Sequence, residues 1–84
     1  MDEPHVPLYA YERLAADLEG EIASGRLPVG ARLEGEREMA DMRGVSLNTV
    51  RSALKLLREW GLVATKPGAG TFVIRSRRPD APQA

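Results

Sequence analysis

The sequence has 84 residues with 12 Lys and Arg against 12 Asp and Glu, so its formal net charge is zero and its length allows one small domain. It contains no cysteine, which excludes disulfides and thiolate metal sites, and its one histidine, His5, lies apart from every motif. With so little catalytic or metal-binding chemistry, we expect no enzyme, no metal ion and no cofactor. No apolar run approaches the ~20 residues that cross a bilayer, and the amino terminus is acidic and polar, so we expect a cytoplasmic protein.

The first part of the chain predicts a flexible lead-in and one helix. Residues 1–7 hold two prolines and little apolar content. From residue 8, apolar side chains recur at spacings of three and four with charged residues between them, which predicts a helix over about residues 9–24 that ends at Gly25. Three glycines and a proline then predict a loop over residues 25–35, in which Arg32-Leu33 could form a very short strand.

A second and a third helix follow, with a short turn between them. The second fits residues 36–43 and ends at Gly44, with two glutamates in its first turn, where the helix dipole favours negative charge. Ser46 is a suitable N-cap for the third helix, which ends at Gly61. Two helices joined by a tight turn that contains glycine are typical of a helix-turn-helix.

The last part of the chain predicts a β-hairpin and then a tail. Residues 62–65 and 71–74 are short β-like runs, and residues 66–70 form the turn between them. Residues 75–84 show no periodicity and are predicted to be a disordered tail. We therefore predict an α+β fold, a winged helix-turn-helix over residues 8–74 in which three helices are followed by a two-stranded β-hairpin wing.

The charges are unevenly divided between the two halves of the chain. Residues 1–40 hold nine acidic and four basic groups, a net charge of −5, whereas residues 41–84 hold three acidic and eight basic groups, a net charge of +5. A chain polarised in this way can turn a basic face toward phosphate while its total charge stays at zero. Charge alone does not decide between this interpretation and a chance difference.

The third helix has the two faces that a recognition helix needs. Val50, Leu54 and Leu57 form its buried stripe. The opposite face carries side chains that can reach base edges, since Arg pairs with guanine and Asn with adenine. Its members are Asn48, Arg51, Ser52, Lys55 and Arg58. For this helix alone a solvated amphipathic face is the better interpretation, but the adjoining turn and wing favour DNA recognition.

Several sequence motifs between residues 7 and 74 resemble motifs that occur in the same order in a known family. They read Pro7-Leu8-Tyr9, Ile22-Ala23-Ser24-Gly25-Arg26-Leu27-Pro28-Val29-Gly30-Ala31-Arg32-Leu33, Glu36-Arg37-Glu38-Met39-Ala40, Gly44-Val45-Ser46 with Asn48-Thr49-Val50-Arg51 and Ala53-Leu54, Trp60-Gly61-Leu62-Val63, and Gly68-Ala69-Gly70-Thr71-Phe72-Val73. Together they resemble the DNA-binding domain of the GntR family of bacterial transcription regulators. The resemblance implies a winged helix-turn-helix that binds double-stranded DNA as a regulator, with repression the favoured role. Its third helix would enter the major groove and its wing the minor groove.

The resemblance also implies roles for individual positions of the helix-turn-helix. Arg37, on the second helix, is expected to contact a base or a nearby phosphate, and Arg51 to reach into the major groove. Ser46 and Thr49 are expected to meet the phosphate backbone at the start of the third helix. Asn48 is expected to lie near base edges or phosphates.

The wing carries two further candidates, and some candidates have a plainer interpretation. Gly68 is expected to let the wing tip enter the minor groove, or only to satisfy a tight hairpin. Lys66, beside the turn, could meet phosphate or be an ordinary charged residue at a strand edge. Arg37 could instead pair with Asp41, four residues on. The arginines of the tail could follow the DNA backbone or be solvated.

Two positions depart from the family's usual pattern. The family commonly has arginine after the serine, where this chain has Leu47, and leucine cannot hydrogen-bond a guanine edge although it can touch a thymine methyl group. We keep Leu47 among the DNA-contacting candidates and expect the target sequence to differ from the family's usual one. Pro-Ser commonly precedes the Glu-Arg pair, where this chain has Glu34-Gly35, so Glu34 adds negative charge near the expected DNA face.

The expected partners are DNA and a second copy of the chain. Family members bind inverted-repeat operators as dimers, which predicts a homodimer formed in solution or only on DNA. They usually carry a C-terminal domain that binds a small effector, and none is expected within these residues. The alternative function is a winged helix that acts as a protein–protein interaction module through its acidic first helix. The two functions differ in whether Arg37, Arg51 and Lys66 lie on one positive face.

Overall fold

The computed structural model of the chain describes residues 9–79, so the predicted lead-in over residues 1–7 lies outside the described residues. Three helices are followed by an antiparallel hairpin, in the order α1 (Ala10–Ala23), α2 (Glu36–Arg43), α3 (Leu47–Glu59), β1 (Val63–Lys66) and β2 (Gly70–Val73). The predicted winged helix-turn-helix is thereby confirmed. No helix in the described part of the chain is long and apolar enough to span a membrane.

Local sequence accounts for the ends of the helices. The Glu12 carboxylate accepts the backbone N–H of Tyr9 at 3.2 Å and so satisfies a donor ahead of α1. Gly44, directly after α2, has a φ of 66°, a left-handed conformation that glycine adopts without steric cost. Because α3 begins at Leu47, the turn between α2 and α3 occupies only residues 44–46.

The hydrophobic core lies between α1, α3 and the inner face of the hairpin. The apolar stripes of α1 and α3 pack against each other, which agrees with the buried face predicted for α3. Met39 is the buried residue of α2, and Leu33 and Val73 add the hairpin side. The buried hydrophobic residues are Leu14, Ala15, Leu18, Ile22, Leu33, Met39, Val50, Ala53, Leu54, Leu57, Leu62, Val63 and Val73.

The wing is a two-stranded antiparallel sheet with a third short segment at its edge. Lys66 pairs with Gly70, a residue pair that was predicted to belong to the turn. The tip of the wing is therefore residues 67–69. Each strand is therefore shifted by one residue toward the tip relative to its predicted bounds. Arg32 forms an isolated antiparallel bridge with Phe72, which confirms the very short strand expected there.

The beginning of the segment predicted as a tail makes defined contacts. The Arg78 guanidinium donates to both carboxylate oxygens of Glu19, at 2.7 and 2.8 Å, and its Cζ lies 3.5 Å from the centroid of the Trp60 ring. Residues 75–79 therefore lie against the domain, because Arg78 binds the carboxylate of Glu19 on α1 and the ring of Trp60 at the end of α3. Residues 80–84 lie outside the described part of the chain.

Candidate nucleic-acid interface

A partly buried ion pair holds α2 against α1. Arg43, the last residue of α2, donates through Nη1 and Nη2 to the two carboxylate oxygens of Glu21, at 2.9 and 3.3 Å. The hydrogen bond with Glu21 raises the pKa of Arg43, so the guanidinium stays charged throughout the physiological range. Its charge is neutralised inside the domain, and its role is to fix the helix-turn-helix rather than to meet a phosphate.

The start of α3 is capped by the two hydroxyl residues that were predicted to meet the phosphate backbone. Ser46 Oγ accepts the backbone N–H of Thr49 at 3.1 Å, and the Ser46 hydroxyl donates to Thr49 Oγ1 at 2.9 Å. The Thr49 hydroxyl hydrogen has no acceptor among the described residues, so it remains able to donate to a bound partner. Ser46 thus acts as the N-cap of α3, while Thr49 is the better placed of the two to donate to a phosphate.

The outer face of α3 is exposed as predicted, and its central arginine has a partner on α2. Arg51 donates through Nε to Glu36 Oε1 at 3.0 Å, and 57% of its side chain remains exposed. Leu47 and Asn48 occupy the first two positions of α3, the leucine half-buried and the asparagine exposed. The contact with Glu36 therefore holds Arg51 at the side of α3 that faces the start of α2.

Arg37 lies in the first turn of α2, beside Glu36, and is exposed. Within the described part of the chain it forms no ion pair, so the pairing with Asp41 that its spacing allows is not present. Because Glu36 contacts Arg51, this turn of α2 is the one that meets the outer face of α3. Arg37 therefore carries an exposed positive charge without an ion-pair partner among the described residues, in the turn of α2 whose Glu36 contacts α3.

The tip of the wing is open, and one exposed cation lies beside it. Gly68 has a φ of 77°, and a Cβ at this position would have no atom within 4 Å. Lys66 ends β1 and is exposed, with its Nζ 6.0 Å from the centroid of the Phe72 ring, the outer limit of a cation–π contact. Both predicted wing residues are therefore accessible to a partner.

A short chain of hydrogen bonds joins the wing to α3. Arg58 Nη1 donates to Thr65 Oγ1 at 3.1 Å, and Thr65 Oγ1 lies 2.9 Å from Thr71 Oγ1 across the hairpin. Arg58 is on the exposed face of α3 as predicted, but its guanidinium binds the wing. This contact links the outer part of the wing to the helix.

One cleft of about 340 Å³ brings the start of α2 and the wing together. Gly35 and Glu36 line one side and residues 65–71 line the other. The cleft includes the predicted Lys66 and Gly68, and Arg51 on the outer face of α3 adjoins it through its contact with Glu36. The other predicted residues do not line the cleft. They lie in the first turn of α2 and along the first five residues of α3 with its N-cap, and they are Arg37, Ser46, Leu47, Asn48, Thr49 and Arg51.

Two residues that shape this interface escape prediction from the sequence. From the sequence, Glu36 has a role only as a negative charge that the dipole of α2 favours. Arg58 is predicted only to lie on the exposed face of α3. Their partners are 15 and 7 residues away along the chain. Ion pairs within one helix are visible as spacings of three or four, whereas contacts between elements leave no such periodic pattern.

Comparison with known proteins decides the family. The family described as bacterial regulatory proteins, gntR family, matches residues 10–73, which span the helix-turn-helix and the wing. The chain belongs to the gntR family. As predicted from the sequence, its winged helix-turn-helix is the gntR DNA-binding fold.

Two curated relatives of this gntR chain are bacterial transcription regulators by name. The HTH-type transcriptional regulator Rv0792c of Mycobacterium tuberculosis is 44% identical over 64 residues, which are 76% of this chain and 24% of that protein. The Exu regulon transcriptional regulator of Escherichia coli K12 is 40% identical over 78 residues, which are 93% of this chain and 30% of that protein. The gntR chain thus spans 24% and 30% of the lengths of these relatives.

A solved gntR-like structure that contains DNA has the same architecture. The crystal structure of AraR(DBD) in complex with operator ORX1 superposes with a TM-score of 0.75 and 28% identity, covering 87% of this chain and 90% of that chain. The similarity extends over nearly all of that DNA-bound chain. It therefore covers the helix-turn-helix together with the wing.

Proposed function

We propose that this gntR chain binds double-stranded DNA sequence-specifically and regulates transcription in the bacterial cytoplasm, with α3 in the major groove and the wing in the minor groove. The observation that carries the proposal is that Arg51 of α3 contacts Glu36, which lines the same cleft as the Gly68 tip of the wing. Major and minor grooves alternate along one side of a duplex, so a helix and a wing that face the same way can enter both. The similarity to AraR(DBD), whose crystal structure is a complex with an operator, supports the binding of DNA.

Arg51 and Asn48 are the proposed readers of base edges. Glu36 uses Nε of Arg51, which leaves Nη1 and Nη2 for the O6 and N7 acceptors of guanine. The exposed amide of Asn48 matches the donor and acceptor of adenine. Leu47 contributes an apolar side chain at the first position of α3, which suits contact with a thymine methyl group.

Three other residues are the proposed phosphate contacts. The Thr49 hydroxyl has no acceptor among the described residues and lies in the first turn of α3, where the helix dipole also attracts an anion. Arg37 supplies a cation from α2, and Lys66 supplies one from the wing. Such contacts fix the position of the protein on the duplex and provide affinity that falls with salt.

The charge around the cleft is mixed, which favours selective binding over general binding. Glu34 and Glu36 line the cleft beside Arg32 and Lys66. Carboxylates repel phosphates, so this surface gains less from a random duplex than a wholly basic surface does. We therefore expect weak non-specific binding and a larger share of the binding energy from base contacts.

The proposed operator is an inverted repeat that two copies of the chain occupy. Two-fold symmetry in a helix-turn-helix dimer matches the symmetry of a palindrome, with one recognition helix at each half-site. Occupation of such a site in a promoter blocks transcription, so repression is the proposed outcome.

The test is selection of bound duplexes from a random pool, followed by fluorescence anisotropy titrations of the selected duplex over a salt series. We expect an enriched palindrome, and a log K that falls linearly with log salt with a slope of about −0.9 per phosphate contact. The Arg51→Ala variant should bind the selected duplex no better than a scrambled one. Arg26→Ala, a change at an exposed arginine in the loop after α1, is the matched control and should retain the preference.

Two results would overturn the proposal. One is a folded protein that binds no duplex even at low salt, which would favour the protein–protein interaction module. The other is salt-dependent binding without any enriched sequence, which would leave a DNA-binding protein that does not read bases.

A further inference from the structure

The three strands of the wing place a second arginine on its outer face. Cross-strand neighbours in an antiparallel sheet project their side chains to the same face. Ala64 and Arg32 are both paired with Phe72, and Lys66 is paired with Gly70, two residues before Phe72 on β2. Because residues two apart on a strand share a face, Arg32 and Lys66 flank Phe72 on one face of the wing.

The Arg32 guanidinium lies over Gly70, close to the hairpin end. A Cβ built on Gly70 would be 2.6 Å from Arg32 Nε and 3.4 Å from both Cζ and Nη2. The absence of a side chain at Gly70 is therefore what gives the guanidinium its place. Gly70 is only two residues from Gly68, so Arg32, which belongs to the loop before α2, brings its charge to the wing tip.

The positive charge of Arg32 is not neutralised within the described part of the chain. Arg43, Arg51 and Arg78 are each paired with a glutamate, at 2.9, 3.0 and 2.7 Å. Arg32 is exposed and forms no such pair, not even with Glu34 two residues on. The wing thus places an exposed guanidinium over Gly70 with its charge available to an anion.

We infer that Arg32 is a DNA-binding residue of the wing, which contacts a backbone phosphate beside the minor groove that Gly68 enters. The inference rests on the proposed function and deepens it. Arginine suits this task because its planar fork of donors binds two phosphate oxygens at once. Lys66 supplies the second cation of the same face, so the wing meets the backbone with two charges.

The experiment compares three variants on the selected duplex in the same salt series. Arg32→Met keeps much of the side-chain length but removes the charge, Arg32→Lys keeps the charge, and Arg26→Met is the matched control at an exposed arginine elsewhere. Losing one phosphate contact should make the salt slope shallower by about 0.9 and weaken binding about fivefold at 0.15 M salt. We expect this for Arg32→Met, whereas Arg32→Lys and Arg26→Met should keep the wild-type slope. Thermal melts of all three variants verify that they are folded.

A second measurement uses chemically modified duplexes with the wild-type protein and with Arg32→Met. Duplexes with one neutral methylphosphonate at successive positions locate each phosphate contact, and one flanking position should weaken wild-type binding but leave Arg32→Met binding unchanged. The inference is overturned if Arg32→Met keeps the wild-type slope, or if Arg32→Lys loses as much slope as Arg32→Met, since a structural role would produce that result. In these cases the loss of sequence preference in Arg51→Ala would still support the proposed function. Failure of the wild-type protein to bind any duplex would overturn both.

Discussion

Arg51 Nε donates to Glu36 Oε1 at 3.0 Å, and this contact joins the outer face of α3 to the first residue of α2. Nη1 and Nη2 of Arg51 make no hydrogen bond with the described residues. These two nitrogens are able to bind the O6 and N7 atoms of guanine as a fork. Glu36 therefore restricts the direction of the guanidinium without using the atoms that a base would bind.

The Glu36→Ala variant should discriminate less well between the four bases at one operator position. A good two-point contact with guanine discriminates against other bases by ~1–3 kcal/mol, and we expect the freer Arg51 to lose about 1 kcal/mol of this preference. Anisotropy titrations with all four bases at each operator position measure the effect. Glu38→Ala is the control, because it removes an equal charge from the same turn of α2 without touching Arg51. Equal loss of preference in both variants would show that the charge of the turn matters and the contact does not.

Removal of the Ser46 hydroxyl should destabilise the domain. The hydroxyl accepts the Thr49 N–H at 3.1 Å, and loss of a serine N-cap costs about 1 kcal/mol of free energy of unfolding. Urea unfolding of Ser46→Ala measures this cost. Ser52→Ala is the control, since Ser52 is exposed in the interior of α3, where alanine is the better helix former. A Ser46→Ala variant as stable as Ser52→Ala would contradict the capping role.

The limits of α2 and α3 follow from short-range chemistry that the sequence displays. Gly44 takes the left-handed conformation that ends α2, and Ser46 supplies the oxygen that begins α3. Each effect acts within three or four residues, so it is visible as a residue type at a position. The exposed face of α3 follows in the same way from its periodicity, and with it the placement of Asn48 and Arg51.

The contacts that orient the predicted site residues could not be found in this way. Glu36 meets Arg51 across a turn, and Arg32 crosses over Gly70 only because a third segment joins the wing. Such contacts depend on how the helices and strands pack against one another. A charged residue on an exposed face has several residues of opposite charge elsewhere in the sequence, and the sequence does not show which of them it contacts. The resemblance to the gntR family supplied candidate residues for DNA, but it did not supply their partners within the domain.

Substitution of Gly70 should lower the free energy of unfolding, and by less when the Arg32 side chain is removed. Gly70 has a φ of 129°, where an alanine is strained by ~1–3 kcal/mol, and its Cβ would also collide with Arg32 Nε. We therefore expect Gly70→Ala to be less destabilising in an Arg32→Ala background, with a coupling of at least ~0.5 kcal/mol. Gly68→Ala serves for comparison, since its φ of 77° is also left-handed but its Cβ meets nothing within 4 Å. A cost of Gly70→Ala that is the same in both backgrounds would contradict the close approach of Arg32.

The contact of Arg78 with Glu19 and Trp60 should be detectable through the fluorescence of Trp60, which is the one tryptophan of the chain. Arg78→Ala removes a two-point ion pair and a guanidinium 3.5 Å from the ring centroid. It should change the Trp60 emission in the folded state and lower the free energy of unfolding by about 1 kcal/mol, since both contacts are partly exposed. Arg77→Ala alters an exposed neighbour and should leave emission and stability as they are. If the emission of Arg78→Ala matches that of Arg77→Ala, the guanidinium does not lie on the Trp60 ring in solution, and this contact does not hold residues 75–79 against the domain.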